Sequence, residues 1–183
     1  MTSRSPTTFV ALLRGINVGG KNKVPMAQLK SSLASLGHED VVTYIQSGNV
    51  VFRSPVGDAR KVAATIEKRI AEEFEVPASV LIRTPAELRA VEKQNPFLKA
   101  GVDASKLHVV FLDRSPKKSA VADLDPGRSP PDEFEVRGGE IYLHLPNGAG
   151  RSKLTIDYFE RRLGVRGTAR NWRTLTKLIE LSR

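Results

Sequence analysis

The residue types able to do chemistry in this chain gather in a few short segments. Between Arg14 and Lys23 the sequence runs Arg14-Gly15-Ile16-Asn17-Val18-Gly19-Gly20-Lys21-Asn22-Lys23, with three cations, two carboxamides and no acid. Adjacent glycines adopt positive φ without penalty and can turn successive backbone N–H groups toward an anion. A helix opening shortly afterwards at Pro25 adds its N-terminal dipole. Gly15, Gly20 and Lys21 also match the G-x-x-x-x-G-K spacing of a phosphate-binding loop, and Val109–Asp113 imitates the strand that carries a magnesium-binding acid. Two details argue against nucleotide hydrolysis. Position 22 is Asn, where magnesium needs a Ser or Thr hydroxyl, and Pro25 starts the helix well beyond Lys21. Binding of an anion without hydrolysis asks only for the glycines and cations, with Arg14, Asn17, Gly19, Gly20, Lys21, Asn22 and Lys23 as its candidate contacts.

A second segment has similar ingredients. Asn147-Gly148-Ala149-Gly150-Arg151-Ser152-Lys153 leaves one strand and enters a helix, and reads as the counterpart of the first in the second half of the chain. Ser152 is placed to cap that helix, while Asn147, Arg151 and Lys153 can reach an oxyanion. Further on, Arg170 and Arg173 can clamp a phosphate, with Arg170 the stronger candidate. Asn171 reads as a helix cap. Trp172, at helical spacing with Leu175 and Ile179, is expected in the core rather than on a base. A hairpin turn around Ser47-Gly48 adds Gln46 and Asn49 as hydrogen-bonding candidates, with Tyr44 and Gln46 on one strand face.

Other chemistries find little support. There is no cysteine, which excludes disulfides, thiolate metal sites and a cysteine nucleophile. His38, His108 and His144 form no pair at helical ligand spacing, so a structural zinc site is not expected. No pair of carboxylates suggests a glycosidase, and no cofactor is implied. The net charge is +9 over 183 residues. Residues 14–23 contribute +3, and residues 147–183, with nine basic and three acidic side chains, contribute +6. A segregated excess of this kind points to an anionic partner, either a small molecule or nucleotide or a nucleic acid. No apolar run is long enough to cross a bilayer and the N-terminus lacks a signal-like apolar stretch, so a cytoplasmic location without a membrane partner is expected.

The elements that must position these groups follow from periodicity. Phe9–Arg14 reads as a buried strand. Met26, Leu29, Leu33 and Leu36 mark one helical face, closed by Gly37. Val41–Gln46 and Asn49–Arg53 read as a hairpin across Ser47-Gly48. Asp58–Phe74 is an amphipathic helix, and Ser79–Arg83 the next strand. The order β-α-β-β-α-β is the ferredoxin-like unit. Thr84-Pro85-Ala86-Glu87 is a capping box that opens a linking helix. Leu107–Asp113, a short helix after Ser115-Pro116, Glu133–Arg137, Glu140–Leu145, a helix over Ser152–Leu163 and a strand over Val165–Arg170 repeat the same order. A terminal helix follows Asn171. The fold class is therefore α/β (α+β): two ferredoxin-like βαββαβ halves packed together, with a linking helix and a C-terminal helix. Residues 1–7 are expected to be a disordered stub, 8–84 the first half, and 85–183 the linking helix, second half and C-terminal helix.

Four stretches carry a family resemblance. Ala11–Met26, Thr43–Phe52, Leu145–Leu154 and Gly167–Leu175 resemble the signatures of the bacterial family called domain of unknown function 1697, and the resemblance runs from about residue 8 to 181. It implies a paired ferredoxin-like fold and a cytosolic bacterial protein. It implies no reaction. The reading that the residues favour is therefore binding of a phosphate-bearing or other anionic ligand at the glycine-rich basic loops. The alternatives are a nucleic-acid binder that uses the basic C-terminal segment, an enzyme acting on a phosphorylated metabolite, and an interaction scaffold presenting a sheet face or edge.

Overall fold

A computed structural model describes residues 5–183. By internal contacts the chain forms two units, one running up to Arg89 together with Leu178–Arg183, the other Ala90–Lys177. Residues 1–4 of the expected N-terminal stub lie outside the described residues, and Thr7 already belongs to the first strand.

In the first unit, β1 (Thr7–Arg14), α1 (Met26–Ser35), β2 (Glu39–Tyr44), β3 (Asn49–Ser54), α2 (Ala59–Phe74) and β4 (Ser79–Arg83) form the ferredoxin-like order. The sheet order is β2-β3-β1-β4, with every pair antiparallel. Phe9, Ala11 and Leu13 of β1 share a core with Val50 and Phe52 of β3, Leu29 and Leu33 of α1, and Val62, Ile66 and Ile70 of α2. The period-2 run of β1 and the helical stripe of α2 thus meet in one layer. Each fully buried aliphatic side chain contributes about 1.5–3 kcal/mol. Asp58 caps α2 by accepting from the N–H groups of Arg60 and Lys61.

In the second unit, α3 (Pro85–Gln94) leads in and its first turn belongs to unit one. The capping box expected there is formed: Glu87 accepts from the Thr84 N–H at 2.6 Å, and Thr84 Oγ1 accepts from the Glu87 N–H at 3.2 Å. A short helix, α4 (Pro96–Lys99), capped by Asn95, was not foreseen from the sequence. Then come β5 (Leu107–Leu112), α5 (Lys118–Ala122), β6 (Glu133–Arg137), β7 (Glu140–His144), α6 (Ile156–Leu163) and β8 (Gly167–Asn171), with sheet order β6-β7-β5-β8. The strand order is the same as in the first unit. Trp172 opens α7 (Trp172–Leu181) and is buried, as its spacing implied, and Asn171 caps the helix by accepting from the Thr174 N–H.

Several boundaries differ from expectation by one to four residues, and two of the differences have a clear physical reason. β2 ends at Tyr44 rather than Gln46, because Ile45 takes φ +52°, a left-handed conformation that breaks the ladder. α6 begins at Ile156 rather than Ser152. The cap is Thr155, which accepts from the Tyr158 N–H, while Ser152 Oγ accepts from the Leu154 N–H in a preceding turn. β2 is also bulged. Glu39 faces Arg53 and Val42 faces Val51, so Asp40 and Val41 oppose the single residue Phe52, and Asp40 sits at φ +50°. Glu39 and Asp40 both pair with Arg53 across this irregularity.

Gly48, with φ +88°, closes the β2–β3 turn under tight constraint. A Cβ there would meet Ile16 Cδ1 and Leu13 Cβ at 2.8 Å. We expect Gly48→Ala to destabilise the protein by about 2–4 kcal/mol, the combined cost of overpacking and a left-handed non-glycine residue, measured by urea denaturation. His38 is buried beside Phe52, with a ring-centroid distance of 4.7 Å, and neither ring nitrogen has a partner among the described residues. Burial lowers its pKa below the usual 6.5. The unfolded chain therefore takes up a proton first as pH falls. Stability is at its full value above pH 6.5 and declines as the pH drops below it. His38→Leu should flatten the slope of stability against pH between neutrality and mild acid.

Candidate functional site

The glycine-rich segment after β1 is not a phosphate-binding loop of the P-loop kind. It folds back on itself as a small hairpin. Lys21 N–H donates to Val18 O at 2.9 Å, Asn17 N–H donates to Asn22 O at 2.9 Å, and Gly19 and Gly20 occupy φ +57° and +74°. Two central residues at positive φ define the type I′ turn, for which Gly-Gly is a preferred pair. α1 starts only at Met26, so its N-terminus stands well past Lys21.

The two asparagines build this turn. Asn17 Nδ2 donates to Val24 O and to Gln46 O, both at 2.9 Å, and Asn17 Oδ1 accepts from the Val24 N–H at 2.8 Å. Asn22 Nδ2 donates to Gly15 O at 2.8 Å. Both residues sit at φ +52°, which asparagine tolerates better than most. Their side chains are therefore committed to backbone groups of the protein. Gln46 lies exposed in the β2–β3 turn rather than on a strand face, and its carbonyl receives Asn17. Asn49 is fully buried and closes the same turn through Tyr44 O and Ser47 Oγ. Arg14 is half-buried at the root of the segment and has protein partners. The side chains of Lys21 and Lys23 are exposed and make no hydrogen bond or ion pair among the described residues, and the Gly19 and Gly20 amides are likewise unpaired. Val18 beside them is 65% exposed.

The second glycine-rich segment is held differently. Ala149–Arg151 is a single 3-10 turn after Gly148, which has φ +81°. Lys153 N–H donates to Ser129 Oγ, and Arg128 donates from Nε to Lys153 O while its guanidinium lies 4.1 Å over the Tyr158 ring. The side chains of Asn147, Arg151 and Lys153 are exposed without partners among the described residues. Arg170 is buried in β8. Its Nη1 donates to Thr168 Oγ1 and Ala169 O, both at 2.8 Å, and desolvation lowers its pKa to about 10, so it remains charged at neutrality.

Topology corrects the expected equivalence of these two segments. The first connects the first strand of its unit to the first helix. The second connects β7, the third strand of its unit, to the second helix, so its true equivalent is Pro55–Asp58. In an antiparallel β-α-β-β-α-β sheet these two connections leave opposite ends of the strands. The real equivalent of Arg14–Lys23 is the stretch from Asp113 to Lys117, between β5 and α5. A shared hydrogen bond confirms it: Leu13 N–H donates to Gly48 O, and Leu112 N–H to Gly139 O, each at 2.8 Å and each closing the first strand onto the hairpin turn.

That stretch holds a cluster which sequence reasoning missed. Asp113 Oδ2 lies 3.2 Å from Arg114 Nη1 and 3.6 Å from Arg166 Nε, and its Oδ1 accepts from the Arg166 N–H at 3.1 Å. Arg166 stands far from Asp113 and Arg114 in sequence. Only the β5–β8 pairing, in which Leu112 faces Gly167, brings them to one sheet end. Among the described residues no group of three or more acidic, histidine or cysteine side chains could hold a metal, and no helix is long and apolar enough to cross a membrane.

Comparisons with known proteins agree with this architecture. A solved structure of a conserved bacterial protein from Streptococcus pneumoniae is 23% identical, covers 98% of this chain and 100% of its own, and superposes with a TM-score of 0.74. At that identity the likeness speaks for the fold. No curated protein matches the sequence. The family model described as a protein of unknown function, DUF1697, matches residues 7–142, ending within β7, so Leu145–Leu154 and Gly167–Leu175 lie beyond the matched segment. That match spans well over half of the sequence and takes in the whole first β-α-β-β-α-β unit, and the chain belongs to the DUF1697 family.

Proposed function

We propose that the protein binds a phosphate-bearing or otherwise anionic ligand at the exposed Val18–Lys23 turn of its first unit. One observation carries this reading: the Lys21 and Lys23 ammonium groups and the Gly19 and Gly20 amides all lack partners among the described residues, on a turn whose shape Asn17 and Asn22 hold fixed. A donor held in place ahead of binding loses little freedom when the ligand arrives. Arg14 adds charge at the root. Asn17, Asn22, Gln46 and Asn49 act as positioning residues. Arg151 and Lys153 offer a separate contact of the same chemistry in the second unit, where Ser152 shapes the turn and buried Arg170 adds charge. A nucleic acid is the second reading. It is favoured by the side chains of Arg151, Lys153, Arg162 and Arg173 in the second unit, which are exposed and without partners among the described residues.

Titration calorimetry with nucleotides, sugar phosphates and short oligonucleotides tests the first reading. Lys21→Ala combined with Lys23→Ala should weaken binding about tenfold or more, since charged hydrogen bonds contribute about 1.5–3 kcal/mol each before exposure reduces them. Unchanged affinity counts against the turn. Asn17→Ala keeps both lysines but releases three hydrogen bonds. It should lower stability by about 1–3 kcal/mol and weaken binding as well, with faster amide exchange across Asn17–Val24. If the partner is a nucleic acid, the logarithm of affinity falls linearly with the logarithm of salt concentration, and a salt-independent affinity excludes it.

A further inference from the structure

We infer that the open cleft at the Asp113–Arg114 end of the second unit's sheet is a binding site for a phosphate group, separate from the glycine-rich segments. The cleft has a volume of about 410 Å³ and is lined by Arg114, Glu160, Arg161, Gly164, Val165 and Arg166. Three guanidinium groups from three segments converge there: the β5–α5 connection, the last turn of α6 and the approach to β8.

Each guanidinium is held by one or two protein contacts. Arg114 donates from Nη2 to Gly164 O at 2.6 Å and from Nη1 to Asp113. Arg161 donates from Nε to Asp157 O at 3.2 Å. Arg166 stands against Asp113 through an ion pair. The terminal N–H groups of Arg161 and Arg166 bond no protein group among the described residues. The two acids nearby are already engaged. Asp113 accepts from Arg114 and from the Arg166 backbone, and Glu160 accepts from the Gly167 N–H at 2.8 Å. The cleft thus holds three cations and a surplus of unused planar donors, with Glu160 in its lining and Asp113 behind it both engaged by protein donors.

Complementing the C-terminal dipole of α6 accounts for Arg114, which meets the Gly164 carbonyl directly. It also suits Arg161 as a charge in the last turn, and Asp113 pairs with Arg166, but neither role uses the terminal N–H groups of Arg161 and Arg166. A phosphate fits them. Guanidinium presents paired N–H groups that match two oxygens of a phosphate, and a tetrahedral dianion has enough acceptor oxygens for forks arriving from separate directions. A planar carboxylate has only two.

Titration of the protein with inorganic phosphate, followed by amide shifts in two-dimensional NMR, tests the site. Saturable shifts should concentrate at Asp113–Arg114 and Gly164–Gly167. Arg161→Gln combined with Arg166→Gln should weaken that saturation at least tenfold, whereas Lys21→Ala with Lys23→Ala should leave it unchanged. Arg114 is left intact because it holds the end of α6. If the glutamine variant folds poorly, Arg161→Lys with Arg166→Lys keeps the charge and should still weaken binding several-fold, because an ammonium lacks the planar fork. No saturable shifts at these amides in the wild-type protein, or equal saturation in a folded double variant, overturns the assignment. Neither result bears on the Val18–Lys23 turn, which the lysine variant reports separately.

Discussion

The carboxamide of Asn17 bonds three backbone groups at once, and the candidate surface of the first unit rests on it. It closes the turn onto Val24 in both directions and ties it to Gln46. Nothing apolar could take its place, because the groups it satisfies would be left unpaired. Once this clamp is set, the β1–α1 connection and the β2–β3 turn become one framework, with Gly48 packed beneath it against Leu13 and Ile16. Lys21 and Lys23 then project from a surface that does not need them for its own stability. Side chains free of structural duty, mounted on a rigid frame, are available for a partner.

Much of this architecture was readable from local patterns. The buried run of β1, the stripe of Val62, Ile66 and Ile70, the Thr84–Glu87 box and the Gly164 stop each reflect interactions within a few residues, so sequence spacing encodes them directly. The misreadings share a different origin. Ile45 adopts a left-handed backbone that its β-branched side chain disfavours, so no propensity pointed to a strand ending at Tyr44. Ser152 and Thr155 are both competent caps, and the choice between them depended on where Lys153 was pinned by Ser129. The part Asn17 and Asn22 play in shaping the turn was not legible, because their partners are backbone groups, which leave no mark on residue identity.

The arginine cleft illustrates the same limit more sharply. Arg114, Arg161 and Arg166 form no motif along the chain. Their proximity depends on strand order, which places the end of β5 beside the start of β8. The two basic regions also differ in physical character. Lys21 and Lys23 are flexible point charges in water, whereas the arginines are oriented by Asp113, Gly164 and Asp157. The first suits long-range attraction of an anion, the second a defined geometry at short range.

The bulge in β2 bears on how the molecule behaves in a crowded cell. An outermost strand normally offers a row of unsatisfied amides and carbonyls on which another polypeptide can zip. Here the left-handed Asp40 interrupts that row, and the acidic pair Glu39 and Asp40 gathers around Arg53 at the same point. An incoming chain would have to break the ion pairs and match an irregular spacing to extend the sheet. This side of the first unit is therefore protected against runaway self-association.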